Sequence, residues 1–300
     1  ELHGESKTAS ATWAFTDSAA GGTALATGTL TINGYIGRDK DLKDLETVFD
    51  VAKEVNKSVG IVTTDSIGGA TPAAFSAHSN SRNNAQEILE SQANSELDLL
   101  IGKESSLYEN KKDQFLENNF TYSNKLDREL LSKERLLINN KGMTPYTGTN
   151  TLKDSTEFAV DYLSQNENGF ALMIEQAYID KNSHSNKFED MARAVVELNE
   201  TMDYLINRFK DQNDTLIILT ADHETGSLDV SSDTNLENVY SKDGISFSYH
   251  YKSDGHTSTY VPVYLNKDIF EFNYIDAKKE YPLIKNIEIA KGIKNLLKFN

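Results

Sequence analysis

The sequence predicts an α/β fold of three layers, with a mostly parallel central sheet flanked by helices. Four short, near-continuous apolar runs point to it: Val59-Gly60-Ile61-Val62, Phe170-Ala171-Leu172-Met173-Ile174, Leu216-Ile217-Ile218-Leu219 and Tyr260-Val261-Pro262-Val263-Tyr264. They have the length and composition of strands covered on both faces. Between Ser185 and Lys210, Phe188, Met191, Ala192, Val195, Val196, Met202, Leu205, Ile206 and Phe209 recur at helical spacing, while Asp190, Glu197, Glu200 and Asp203 fall largely on the other side. Strands that alternate with such helices form layered sheets whose carboxyl ends collect ligand groups. Glu175 directly ends the second run, and Asp222-His223 follows the third.

In chain order, Trp13-Ala14-Phe15-Thr16-Asp17 reads as a strand end, and Ser18-Ala19-Ala20-Gly21-Gly22-Thr23-Ala24 as a close-packed helix start. A helix is expected to run on from Pro72 past His78. Residues 79–150 are polar and read as an insertion, interrupted by possible strands at Leu97-Asp98-Leu99-Leu100-Ile101 and Leu136-Leu137-Ile138. Residues 231–254 carry few aliphatics and many turn residues, and read as a surface excursion. No internal repeat is present, and residues 1–300 are read as one elaborated domain.

Composition narrows the function classes. A hydrophobic content of 38% with 25% charged residues is ordinary for a soluble globular chain. A formal charge of −16 opposes binding to nucleic-acid backbones and anionic membrane surfaces. No run approaches the roughly 18 apolar residues of a membrane span, and Glu1-Leu2-His3-Gly4-Glu5 lacks the pattern of a signal peptide. The chain does not begin with methionine, which fits a matured, trimmed or partial polypeptide. Zero cysteines exclude disulfides and thiolate metal sites, so any metal must rely on histidine and carboxylate.

Four segments hold such donors beside a serine: Thr16-Asp17-Ser18-Ala19-Ala20, Asp180-Lys181-Asn182-Ser183-His184, Thr220-Ala221-Asp222-His223-Glu224 and Gly255-His256-Thr257. Asp180 and His184, four apart, share one face of a helical path and can reach one ion. Asp222 and His223 can both turn toward one ion only at an irregular strand exit. Ser18 at a helix start meets the positive end of the helix, where a phosphate or alkoxide is favoured. Taken singly, each has a plainer role: a helix cap for Ser18, a surface hydrogen bond for either aspartate–histidine pair, a solvated acid at Glu175, a solvent-facing cation at Arg82. His250, six residues before His256, is a rival ligand; His3 and His78 are assigned to a chain end and to packing.

Together with Gly69-Ala70-Thr71-Pro72-Ala73-Ala74 through Arg82, and with Glu175 before Asp180, these segments resemble the alkaline phosphatase family in motif order, over roughly residues 12 to 260. The resemblance implies Ser18 as nucleophile, a first zinc on Asp180, His184 and His256, and a second zinc on Asp222, His223 and the Ser18 oxygen. It also implies a magnesium site using Glu175 and Thr71, a phosphate clamp at Arg82, and electrostatic support from Lys181. Two departures stand out. Family members begin with a strand ending in an Asp-Gly-Met-Gly type turn, whose aspartate bridges a zinc and the magnesium, and this chain starts downstream of it. Two residues before Thr71 the family commonly has aspartate or histidine, and here stands Gly69, which leaves the identity of the third metal open.

The expected activity is hydrolysis of small phosphate monoesters through a covalent phosphoserine. The alternatives are a phosphodiesterase or sulfatase of the same superfamily, or a metal- and phosphate-binding protein of low activity because the bridging aspartate is absent. Family resemblance further implies a homodimer and a periplasmic or secreted location.

Overall fold

The computed structural model describes residues 2–143, 150–232, 238–242, 244–269, 275–276 and 282–299. The chain enters through β1 (Leu2–Lys7), then α1 (Ser18–Thr27) and α2 (Val48–Glu54). The main sheet follows, with five strands: β2 (Ser58–Thr63), β3 (Leu99–Lys103), β4 (Thr121–Ser123), β5 (Leu136–Asn140) and β6 (Phe170–Glu175). All its pairs are parallel and the order is β4-β5-β3-β2-β6. Parallel neighbours need crossovers, supplied by α3 (Ala70–Ala74) with α4 (Ala85–Ala93), by α5 (Ser106–Asn110) with α6 (Lys112–Leu116), and by α7 (Leu152–Leu163).

Alternate residues of these strands face opposite layers. Val59, Ile61, Leu100 and Leu137 pack with Val48, Phe49 and Ala52 of α2, Leu89 of α4 and Phe115 of α6. Val62, Leu99, Ile101, Leu136 and Ile138 pack instead with Leu152, Phe158, Ala159 and Leu163 of α7. A sheet between two helical layers is the expected architecture.

The second half runs through α8 (Tyr178–His184), α9 (Phe188–Phe209), β7 (Ile218–Leu219), β8 (Glu224–Thr225), β9 (Leu228–Ser231), β10 (Asn238–Lys242), β11 (Ile245–Tyr251), β12 (His256–Thr257), β13 (Val261–Leu265), β14 (Leu283–Lys285) and α10 (Ile287–Phe299). A second, mixed sheet has the order β14-β1-β13-β7, with β13 antiparallel to both its neighbours. Residues 231–254, expected as a surface excursion, form most of an antiparallel sheet in which β11 lies between β9 and β10; residues 233–237 and 243 fall outside the described residues. Among the described residues, no helix is long and apolar enough to cross a membrane.

Several expectations need correction, among them the helix running on from Pro72 past His78: α3 ends at Ala74, and Ser79 pairs with Ile36 in an isolated bridge. The polar stretch 79–150 is not an addition to the sheet, because it contributes β3, β4 and β5, and β3 and β5 bury nearly all their side chains. Its polar composition comes from the connections; residues 144–149 lie outside the described set. Residues 13–17 form a loop rather than a strand end, with Trp13 61% and Phe15 46% exposed.

The runs at β6 and β7 are only half-buried, because β6 pairs with β2 alone and β7 with β13 alone among the described residues. Only Ile218 and Leu219 of the third run pair as a strand; the preceding Ile217 amide is taken by the Asn266 side chain at 2.9 Å. On α9 the buried stripe is Met191, Ala194, Glu197, Thr201, Leu205 and Phe209, leaving Val196 and Ile206 exposed. Glu197, placed by pattern on the solvent side, is buried because its carboxylate accepts from the Leu152 amide and the Gln176 amide group.

Candidate active site

The site lies at the carboxyl ends of β2, β6 and β7, where each strand gives way to a loop or helix. Asp17, not Ser18, caps α1: its side chain accepts from the Ala20 amide at 3.0 Å. Ser18 is the first helical residue, and its hydroxyl is left to face His223, with Oγ 3.0 Å from Nε2 across 205 residues of sequence. The Gly21-Gly22 pair makes this approach feasible. A Cβ at Gly21 would stand 2.9 Å from the Asp222 carbonyl, and one at Gly22 3.0 Å from the Ala74 Cβ.

Protons on the three histidines can be traced from their partners. His184 Nδ1 faces the Asp254 carbonyl at 2.5 Å, and His256 Nδ1 faces the Thr16 carbonyl at 2.8 Å. A carbonyl only accepts, so each Nδ1 carries the hydrogen, and in the neutral ring each Nε2 holds a bare lone pair. Those two Nε2 atoms are 3.1 Å apart, and Asp180 Oδ1 lies 3.4 Å from one and 3.8 Å from the other. Burial, reinforced by the neighbouring His223, holds His256 below the usual imidazole range and so keeps it neutral. Two imidazole nitrogens, bare in the neutral rings, therefore converge with a carboxylate oxygen, and all lie within 4.8 Å of one another.

A second set adjoins the first. Thr225 donates its single hydroxyl hydrogen to Asp180 Oδ1 at 2.5 Å, so it can only accept from His223 Nδ1 at 3.1 Å. His223 Nε2 is then also a bare acceptor, and it lies 3.2 Å from Asp222 Oδ2, a buried oxygen with no hydrogen-bond donor among the described residues. Carboxylate and imidazole acceptors brought together without protons repel one another unless a cation lies between them. The donor set of nitrogens and carboxylate oxygens suits zinc, so the residues fit the metal the sequence implied.

Arg82 reaches the same corner. Its Nη1 pairs with Asp17 Oδ2 at 3.1 Å, and its backbone amide donates to the Gly34 carbonyl at 2.7 Å. Asp17 thereby caps α1 and fixes the guanidinium one residue from the serine.

On the other flank the Glu175 carboxylate accepts from Thr63 Oγ1 at 2.5 Å and from the Thr71 hydroxyl. Although Glu175 as a residue is partly exposed, its carboxyl end is enclosed, and burial, with Asp65 and Asp222 nearby, pushes it up to about 7. Lys181 is held by Asp65 Oδ1.

The structure thus brings Ser18, Asp180, His184, Asp222, His223 and His256 together, with Arg82 on one side and Glu175, Thr71 and Lys181 on the other. His250 sits on β11 opposite Asp229 and outside the metal-ligand group found among the described residues. His3 stacks on Tyr264, and His78 Nε2 contacts the Leu45 carbonyl. Sequence reasoning missed the tethering residues Asp17, Thr63, Asp65 and Thr225. Asp17 was adjacent to a flagged serine, but no spacing rule marks residues that pair across loops.

Comparison with known proteins bears on the family and the fold. The family model for alkaline phosphatase matches residues 1–104 and 139–281. Alkaline phosphatase 4 of Bacillus subtilis is 37% identical over 235 residues, covering 72% of this chain and 51% of the relative, and alkaline phosphatase 3 of the same organism is 32% identical over 236 residues, covering 73% and 51%. The chain therefore spans about half the length of these curated relatives. The alkaline phosphatase of the Antarctic bacterium TAB5 superposes with a TM-score of 0.84 at 25% identity, covering 100% of this chain and 89% of that one. A histidine-to-glutamate variant of that enzyme has magnesium bound in its M3 site. Motif order, fold and site lead to one assignment: the chain belongs to the alkaline phosphatase family.

Proposed function

We propose that this chain hydrolyses phosphate monoesters through a phosphoserine formed on Ser18. The observation that carries the reading is the convergence of Asp180 Oδ1, His184 Nε2 and His256 Nε2, adjoining a serine whose hydroxyl faces a further imidazole nitrogen, His223 Nε2. Asp180, His184 and His256 would hold one zinc, with Asp222, His223 and the serine oxygen around a second. Glu175 and Thr71 offer hard oxygen donors to a magnesium ion, a reading supported by the magnesium of the TAB5 variant. Bound there, the cations would lower the pKa of a hydroxyl or water, offset the charge of a departing alkoxide and stabilise the transferring phosphoryl group.

The chain's own groups do the rest. Arg82, oriented by Asp17, offers a planar fork of donors to two phosphoryl oxygens. Ser18 Oγ, 3.0 Å from His223 Nε2 at the edge of the same donor set, gives its proton to solvent and attacks phosphorus as the alkoxide leaves and takes up a proton from water. Water then cleaves the phosphoserine, returning the serine and releasing phosphate.

Mixing the zinc-loaded protein with nitrophenyl phosphate, quenching in acid and mapping peptides by mass should place one phosphoryl group on Ser18, absent in Ser18→Ala. Turnover without labelling at Ser18 would exclude the covalent route. Faster turnover of a bis-nitrophenyl diester than of the monoester would move the assignment to a phosphodiesterase.

A further inference from the structure

We propose that Asp65 supplies the carboxylate that position 69 lacks, so that a third, hard divalent cation is held by Asp65 together with Glu175 and Thr71. The inference rests on the phosphatase reading above and assigns a residue that motif alignment passes over.

Gly69 is not required by its backbone. Its φ of −56° and ψ of 158° suit any L-residue. What crowds a side chain there is chiefly Asp65: a Cβ at position 69 would lie 2.8 Å from Asp65 Oδ2, 3.1 Å from the Ser66 carbonyl oxygen and 3.3 Å from Asp65 Cγ. The carboxylate of residue 65 thus borders the space into which a side chain at 69 would project, and it must shift if that position carries one.

The loop holds Asp65 there by its main chain. The Asp65 amide donates to Thr63 Oγ1 at 2.9 Å, its carbonyl accepts from the Lys103 amide at 2.7 Å, and the Gly69 amide closes the turn on the Ser66 carbonyl at 2.8 Å. Thr63 also donates to Glu175 Oε2, so a single hydroxyl links the loop to the acid at the end of β6.

The two oxygens of Asp65 divide their roles. Oδ1 holds the Lys181 ammonium, and Oδ2 lies over Gly69. Asp65 lies close enough to the Glu175 carboxylate to act on it electrostatically, and Thr71 hydrogen-bonds to that carboxylate, so Oδ2, Glu175 and the Thr71 hydroxyl would together make an all-oxygen set of two acids and an alcohol. Magnesium prefers such donors and fills its remaining positions with water. Asp65 therefore couples the third cation to Lys181 through one carboxylate.

The test moves the carboxylate from one position to the other. Zinc-loaded wild type, Asp65→Gly, Asp65→Asn and the exchange Asp65→Gly/Gly69→Asp would be titrated with magnesium, reading bound magnesium by elemental analysis after equilibrium dialysis and the melting temperature with and without it. One magnesium per wild-type chain is expected. Asp65→Asn, which keeps the shape, and Asp65→Gly should each bind it more weakly by about tenfold or more, and the exchange should recover most of the loss.

Wild-type affinity in Asp65→Asn would overturn the proposal, as would failure of a folded exchange variant to recover. A wild type that holds zinc and forms phosphoserine but takes no magnesium would also overturn it, while leaving the phosphatase reading intact.

Discussion

The two flanks of the site satisfy their polar groups in opposite ways. On the histidine flank, the protons of His184, His223 and His256 are committed outward, to two carbonyls and a threonine, so bare nitrogens and carboxylate oxygens face one another. On the flank around Glu175, the acids already have protein donors: Thr63 and Thr71 for Glu175, Lys181 for Asp65. One flank is frustrated without a cation and the other is largely compensated. The first should therefore bind metal tightly and lose most when a donor is removed. The second should bind weakly and show its role mainly in stability and in its response to pH.

The largest effect should come from His256→Ala. It removes a shared acceptor, so zinc should fall by about one per chain and turnover by more than the ~10²-fold that loss of an outer partner costs. Elemental analysis with initial rates would check both; unchanged zinc would break the contrast between the flanks. Arg82→Ala should lower kcat/KM by about 10²–10³-fold, the cost of one charge-stabilising donor, and Arg82→Lys should recover only part because a single ammonium cannot fork.

The Glu175 flank predicts a pH effect in metal-free protein. With its carboxyl pushed up to about 7, the folded chain keeps a proton that the unfolded chain loses near 4.5. Stability from this group is full below the lower value and is lost as pH rises through the higher one, about 3 kcal/mol in all. Urea melts of chelated protein from pH 4 to 8 should show that decline, and Glu175→Gln should flatten it. The smallest effect belongs to Asp17→Ala, which should cost about 1 kcal/mol of stability through the lost cap and raise KM by releasing Arg82. A shift in only one of the two readouts would separate its roles.

Much of this was legible in the chain. Asp180 and His184 four apart, Asp222-His223 beyond an apolar run and Gly-His-Thr at 255–257 are local patterns, and local patterns survive folding. What escaped depends on contacts between distant loops. Asp65 acts across a turn at Gly69, Asp17 reaches a residue 65 positions away, and Glu197 is buried by partners 21 and 45 positions distant. Strands β3 and β5 were visible as apolar runs, but the polar crossovers around them hid that they lie inside the sheet. Conversely, the apolar runs at β6 and β7 promised full burial, and composition could not reveal that each pairs on one edge only among the described residues.

The glycine pair at 21 and 22 sets the clearance around Ser18 by what it leaves out. With hydrogens there, α1 can lie against the Asp222 carbonyl and the Ala74 methyl. The spacing between Ser18 and His223 thus hangs on two residues that contribute no donor, and an engineer could shift it, every donor intact, with a single methyl group.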